Sequence, residues 1–377
     1  MARKSVRILK RILIVFFSII MLFIIATFFY MRQDKFGQLA EGNRLERIKK
    51  SPNYHDGKFQ NIHHTPQITE GYSYTEVLYE FIFKHTKRRK PDDKIPSMKT
   101  DLLHLSPDQD ILVWFGHSSY FIQLDGKRIL ADPVFSGDAS PVPGANKAFA
   151  GTDRYTTDDL PPIDYIFISH DHYDHVDYTT LLKLISKTGK IFCGLGVGAH
   201  LELWGFRPEQ VIESDWNEEI RLDSGFVVHT TPARHFSGRG LSANKSLWLS
   251  YVLASRTMKI YIGGDSGYDT HFADIGKKFG PIDLAVLENG QYDIKWRYIH
   301  LLPGEVIKAA KDLKAKRLFP VHSSKFAMAN HAWDEPLIKV SELNKQSNIP
   351  LVTPIIGELV NLKDSTQVFS QWWVGIK

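Results

Sequence analysis

The chain has 377 residues, enough for one large domain or two average ones, and its 43% apolar and 24% charged content excludes a wholly disordered polypeptide. A single cysteine, Cys193, excludes an internal disulfide and a thiolate zinc cluster, so any metal must be held by the 16 histidines and the carboxylates. The net charge of +5 conceals 19 Lys/Arg against 9 Asp/Glu in residues 1–100 and 28 against 33 beyond them; the larger part is mildly acidic, and nucleic acid is not an expected partner.

Ile12 to Tyr30 is a 19-residue run without charge, proline or glycine. At 1.5 Å per residue it spans about 28 Å, the thickness of a bilayer core. Arg3, Lys4, Arg7, Lys10 and Arg11 precede it. A cleavable signal peptide would have a shorter apolar region and small residues at its end, whereas this run closes on Phe28-Phe29-Tyr30, as an interfacial aromatic anchor does. Residues 1–35 therefore read as a basic flank and one uncleaved transmembrane helix. The flank favours the N-terminus inside, although Arg32, Lys35, Arg44, Arg47, Lys49 and Lys50 follow closely and leave the positive-inside count undecided. The expected placement is single-pass in the cell membrane, with the following body extracytoplasmic.

Residues 36–107 read as a connector and lead-in, polar and punctuated by Ser51-Pro52-Asn53 and Asp56-Gly57. One helix is expected within them, from Tyr74 to His85. It carries Val77, Leu78, Phe81 and Ile82 on one side and ends in Lys84, Lys87, Arg88, Arg89 and Lys90. Packing on the body is favoured over a membrane-surface helix with a basic edge.

Residues 108–377 form the expected catalytic domain. Ile111–Phe115, Tyr120–Leu124 and Arg128–Ala131 read as consecutive strands, with Asp125-Gly126 as a hairpin turn. Further strands are expected at Tyr165–Ser169, Phe226–Thr231, Leu247–Ala254, Lys259–Gly263, Leu284–Leu287 and Arg317–Val321. Helices are expected at Tyr178–Lys187, Gly196–Leu203 and Pro303–Ala315. The alternation describes a layered α/β body.

The strongest signal is Ser169-His170-Asp171-His172-Tyr173-Asp174-His175, directly after an apolar strand. His170, His172, Asp174 and His175 place four donors within six residues, more than one tetrahedral ion needs from one segment, so two ions are a natural solution. Imidazole and carboxylate without thiolate favour zinc, with manganese or iron as alternatives. His235 follows a strand in Thr231-Pro232-Ala233-Arg234-His235. Asp265 follows one in Gly263-Gly264-Asp265, where the glycines are expected to let the backbone approach a metal. His322 ends the strand before it. All three repeat one position type, a donor just past the C-terminal end of a strand.

On these residues the chain resembles the metallo-β-lactamase superfamily, and more closely the branch typified by N-acyl-phosphatidylethanolamine-hydrolysing phospholipase D. The resemblance runs from about Arg44 to Leu343. It also rests on Trp114-Phe115-Gly116-His117-Ser118-Ser119, Ile129-Leu130-Ala131-Asp132-Pro133-Val134-Phe135, Gly264-Asp265-Ser266-Gly267 and Pro320-Val321-His322. It implies a four-layer αββα sandwich behind the transmembrane helix. It further implies one ion on His170, His172 and His235, a second on Asp174, His175 and His322, and Asp265 bridging them around a hydroxide. Asp174 would orient that hydroxide, and His300 would contact the substrate or assist proton transfer. His117 and Asp132 are expected to support the ligands from behind. The branch has a Pro-Ile-Gly-Ala-Tyr-like stretch at Glu288–Tyr292 and a Trp-Gly-Thr pattern at Ser323–Lys325; this chain departs from both.

The expected function is a membrane-anchored, binuclear metal-dependent hydrolase, a phospholipase D-like phosphodiesterase acting on a lipid or a small phosphodiester or ester. A lactonase, esterase or β-lactam-type amidohydrolase is the alternative chemistry; a non-catalytic metal-binding membrane scaffold is the alternative of another class.

Overall fold

The computed structural model describes every residue except 1, 85, 223 and 224, and of residues 2 and 3 the backbone alone. The expected helix end at His85 and the Arg3 side chain thus lie outside the described residues.

Helix α1 (Ala2–Tyr30) is unbroken, and its Lys4–Tyr30 stretch is long and apolar enough to cross a membrane, with none of its most apolar window buried. Immediately after it the chain is fastened to the body. Tyr30 donates its hydroxyl to the Pro141 carbonyl at 2.8 Å, Trp204 Nε1 donates to the Asp34 carbonyl at 2.7 Å, and Arg239 Nη2 to the Lys35 carbonyl at 2.7 Å. Helix α2 (Gly42–Lys49) follows, and its Arg44 pairs with Glu202 at 2.5 Å and Glu213 at 2.7 Å. A two-residue turn, Asp56-Gly57, with φ of 53° and 73°, joins β1 (Tyr54–His55) to β2 (Lys58–Phe59) as positive-φ hairpin turns require. The expected connector therefore runs over the body rather than away from it.

Helix α3 (Tyr74–Phe83) begins where the Ser73 hydroxyl accepts from the Glu76 amide at 3.2 Å. It does not pack as expected. None of its residues is buried, and Leu78, Tyr79, Ile82 and Phe83 are exposed.

The first sheet opens with the antiparallel strands β3 (Ile111–Trp114), β4 (Tyr120–Leu124) and β5 (Lys127–Ala131). It continues in parallel through β6 (Ile163–Phe167), α4 (Tyr178–Leu184), β7 (Thr188–Gly194), α5 (Val197–Leu203) and β8 (Val211–Ser214). The second sheet runs antiparallel through β9 (Glu219–Arg221), β10 (Val227–Thr231), β11 (Ser250–Ala254) and β12 (Lys259–Ile262). After α6 (His271–Phe279) it turns parallel with β13 (Leu284–Glu288), α7 (Pro303–Asp312) and β14 (Leu318–Val321). Helix α8 (Glu335–Asn344) precedes β15 (Leu359–Asn361), which returns to the first sheet beside β3.

Strand periodicity explains the layering. In β3, Leu112 and Trp114 enter the core between the sheets, while Ile111 and Val113 face the outer layer with Leu181, Leu184, Val197 and Leu201. In the second sheet, Leu253, Ile260 and Ile262 point inward, while Val252, Tyr261 and Ala285 meet Phe272, Val306 and Ala310. Both faces of both sheets are covered, the expected four-layer αββα sandwich. Phe167 and Phe192 stack at 4.9 Å in the central layer. Two of the boundaries that differ from expectation do so where the backbone amides leave their own sheet for other partners. β11 starts at Ser250, since the Leu247 and Leu249 amides donate to Leu195 and Ser169 carbonyls of the first-sheet side, and β6 ends at Phe167 because the Ser169 amide turns to Asp132.

Candidate metal centre

Both sheets deliver strand ends to one rim, and the ten expected site residues meet there. The turn after β6 supplies His170, His172, Asp174 and His175; His235 follows β10, Asp265 follows β12 and His322 follows β14. His170, His175, His235, His322, Asp174 and Asp265 are all buried.

Two nitrogen-rich pockets share one carboxylate oxygen. His170 Nε2 lies 2.8 Å from His172 Nδ1, which lies 3.3 Å from His235 Nε2. Ligands at 2.0–2.1 Å from a tetrahedral ion are separated by about 3.3 Å, so this triangle has the size of one coordination face. Beside it, His322 Nε2 and His175 Nε2 lie 3.1 and 3.3 Å from Asp265 Oδ2, and each lies 3.3 Å from Asp174 Oδ2. Asp265 Oδ2 is also 3.9 Å from His170 Nε2 and 3.8 Å from His235 Nε2, so it faces both groups.

The far sides of the rings are fixed by partners that leave the inward nitrogens free. His235 Nδ1 donates to the Ile299 carbonyl at 2.8 Å, and His175 Nδ1 to Asp132 Oδ2 at 2.8 Å. The Ser169 hydroxyl donates to Asp132 Oδ2 at 2.7 Å and lies 3.0 Å from His170 Nδ1. His117 Nε2 lies 2.9 Å from Asp174 Oδ2. Outer partners of this kind set tautomer and ring orientation. His117, Asp132 and His322 have φ of 54°, 39° and 66°, uncommon for residues with a side chain. Reciprocal bonds hold two of them, the His322 amide to the His117 carbonyl and the His117 amide to Ser323, each at 3.0 Å.

Burial penalises charge on His170 and His235 and holds both well below the usual histidine range, as neutral lone-pair donors. Burial alone would raise Asp174 and Asp265, but His175 and the neighbouring rings outweigh it and keep both ionised. His322 is driven up to about 10 because Asp265, Asp174 and Glu288 outweigh its desolvation. Among the described residues His175 Nε2 and Asp265 Oδ1 are buried without a hydrogen-bond partner. Unpartnered buried donors facing a ring of lone pairs and carboxylates fit a cation, and this donor set accommodates divalent ions.

His300 stands one layer out. Its Nδ1 lies 2.6 Å from Glu288 Oε2 and 3.9 Å from Asp265 Oδ2, and its ring stacks on His322 at 5.3 Å. Glu288 was not among the expected site residues, although it sits at the end of β13, the position type that marks the others. Its Oε1 accepts from the Ser266 amide at 2.6 Å and the Leu301 amide at 3.2 Å. Both oxygens are thus engaged, and Glu288 orients His300 rather than serving as a free ligand. The glycines before Asp265 also answer to close packing. A Cβ on Gly264 would meet Ser169 Cβ at 2.4 Å, and one on Gly263 the Val286 carbonyl at 2.7 Å, so they permit close packing of strand ends.

The cluster forms the floor of a cavity of about 320 Å³. Its walls include Tyr74, Val77 and Phe81 of α3, with Phe236, Trp296 and Met328. Asn61, in the lead-in, accepts from the His235 amide at 3.1 Å and donates to its carbonyl at 2.7 Å, so residues before the domain also position a donor.

Residues 127–323 match the family model described as a beta-lactamase superfamily domain. An uncharacterized protein of Mycobacterium tuberculosis is 34% identical over 332 residues, covering 86% of this chain and 88% of its own. The chain belongs to the metallo-β-lactamase superfamily. Within it, the chain is similar to N-acyl-phosphatidylethanolamine-hydrolyzing phospholipase D 1 of Caenorhabditis elegans, 28% identical over 317 residues that cover 75% of this chain and 88% of that one. The solved structure of Igni18, a metallo hydrolase from Ignicoccus hospitalis, shares the fold with a TM-score of 0.51 at 21% identity, over 67% of this chain and 97% of that one. This superfamily member is a metal-dependent hydrolase, and its His/Asp groups are placed to hold metal ions.

Proposed function

We propose that this hydrolase is a binuclear phosphodiesterase, anchored in the membrane by α1 and acting on a phospholipid or a lipid-derived phosphodiester. The observation that carries the reading is the cavity: five of the seven convergent donors, His172, Asp174, His235, Asp265 and His322, face it beneath an apolar wall, with His170 and His175 grouped behind them. His170, His172 and His235 would hold one ion, and Asp174, His175 and His322 the other, with Asp265 shared. Two divalent ions there, zinc by donor type with manganese or iron as alternatives, supply Lewis acidity and a water acidified towards neutral pH.

The chain's own residues do the rest. Asp174 Oδ2, held by His117, orients the attacking group. Glu288 keeps the His300 Nδ1 proton in place, so Nε2 is the atom that exchanges a proton with the leaving oxygen. Tyr74, Val77 and Phe81 take the apolar part of the substrate and exclude water from the floor. The exposed side of α3, with Leu78, Ile82 and Phe83, continues that wall outward and suits a substrate arriving from a bilayer.

The placement in this proposal is single-pass in the cell membrane with the domain extracytoplasmic. Residues 1–35 are the anchor, 36–107 the lead-in and 108–377 the catalytic domain. A lactonase, esterase or amidohydrolase would use the same floor. The full chain is to be assayed in phosphatidylethanolamine vesicles against N-acyl-phosphatidylethanolamine, alongside soluble esters, lactones and a β-lactam. Metal-dependent release of N-acylethanolamine, with phosphatidic acid as the co-product, supports the proposal; turnover confined to the esters, lactones or β-lactam overturns it.

A further inference from the structure

A second cavity, of about 530 Å³, lies at the root of the anchor helix, away from the metal-facing side chains. One wall is α1 itself, through Ile24, Thr27 and Phe28; the opposite wall is Leu39, Ala40 and the loop tip Gly240-Leu241. Leu241, at the loop tip, is 92% exposed and lies on the same side as the exposed apolar surface of α1 that lines the cavity. The lining also includes three cations: Arg32, Lys245, whose Nζ donates to the Gly57 carbonyl at 2.5 Å, and the buried Arg239, which is turned onto backbone carbonyls. Arg32 sits two residues past the apolar run, at headgroup depth, with its guanidinium 4.4 Å over the Phe28 ring. Asp171, the carboxylate in the lining, is already engaged: it accepts from the Gly238 amide at 2.7 Å and the Ser246 hydroxyl at 2.6 Å. The cavity is therefore apolar within and positive at its rim.

We infer that this cavity binds one glycerophospholipid of the surrounding bilayer, with an acyl chain between α1 and the Gly240-Leu241 tip and its phosphate at Arg32 and Lys245. The inference rests on α1 being a membrane anchor. Charge complementarity argues for a phospholipid over an uncharged lipid, and continuity with the apolar surface of α1 argues for delivery from the bilayer. The lipid would also bear on the active site, because one loop serves both cavities. His235 and Phe236 face the metal-site cavity, and Gly238 to Ser242 line the second. Asp171 ties that loop to the segment between His170 and His172. Arg239 fixes the loop to the post-anchor chain, donating to the Lys35 carbonyl at 2.7 Å and to the Asp171 and Val176 carbonyls at 2.8 Å.

The test uses the full chain in nanodiscs of phosphatidylethanolamine and phosphatidylglycerol doped with a diazirine-bearing phosphatidylethanolamine. After irradiation, adducts are mapped by peptide mass spectrometry. Enrichment of at least tenfold on residues 23–40 and 238–246 over the rest of α1 is expected. Gly240→Trp should abolish that enrichment, since a Cβ there meets only Met31 Cε at 3.8 Å and the indole has the cavity to fill. Arg32→Gln should weaken it several-fold, with adducts on Ile12–Ile20 unchanged in both variants. Even labelling along α1, or enrichment that survives Gly240→Trp in a variant melting like the parent, overturns the inference and leaves the anchor reading standing. Release of the chain from membranes by alkaline carbonate overturns both.

Discussion

Asp132 and His175 meet at 2.8 Å across 43 residues of chain, and the same carboxylate oxygen accepts from the Ser169 hydroxyl at 2.7 Å. One buried side chain at the end of β5 thus orients His175 and, through Ser169, His170, which belong to different halves of the cluster. The arrangement makes Asp132 a positioning residue for both proposed ion sites.

Asp132→Ala should weaken metal binding by roughly 10–100-fold while leaving the fold intact, the scale found for carboxylates behind ligating histidines. Competition with a chelator reads the affinity, and circular dichroism reads the fold. Unchanged affinity in a folded variant would remove Asp132 from the site.

His300→Ala should retain the full metal complement and slow turnover by about 100–10,000-fold, as loss of a general acid or base does. Glu288→Gln should act in the same direction with a smaller loss, roughly 10–100-fold, because the proton on His300 Nδ1 would lose its charged acceptor. Elemental analysis beside steady-state kinetics separates the roles. Loss of metal from His300→Ala would make it a ligand.

Much of this centre is legible in the sequence because its donors share a local context, the residue or turn following an apolar strand. His170–His175, His235, Asp265 and His322 are visible that way, and β4 is found to the residue. Glu288 carries the same mark but reads as a departure from the family pattern, and its role emerges only when His300, 12 residues on, folds back on it. Strand β7 escapes notice because its TGKIFCG run sits in the parallel part of the sheet with both faces covered, so no alternation announces it. The surface of α3 misleads for the opposite reason. A helical apolar stripe usually marks a core face, yet here it lines a cavity and continues into solvent.

A pH dependence of stability follows from His271, which is buried and lowered from 6.5 to about 3 by desolvation. The unfolded chain takes up the proton first, so stability is full above about pH 6.5 and is lost as pH falls towards 3, by up to roughly 4–5 kcal/mol. His271→Gln, which keeps a hydrogen-bonding group beside the Ser266 hydroxyl, should flatten this slope. Urea midpoints measured between pH 6.5 and 4 for both proteins give the answer; parallel curves would show that His271 carries none of the slope.

The shared oxygen of Asp265 is the centre of the proposal, and metal stoichiometry addresses it most directly. The purified full chain, analysed by inductively coupled plasma mass spectrometry, should hold two divalent ions per molecule. Asp265→Ala should hold one or fewer and lose hydrolysis by about a thousandfold or more. A parent chain with a single ion, or an Asp265→Ala variant that keeps two ions and its rate, would contradict the binuclear centre.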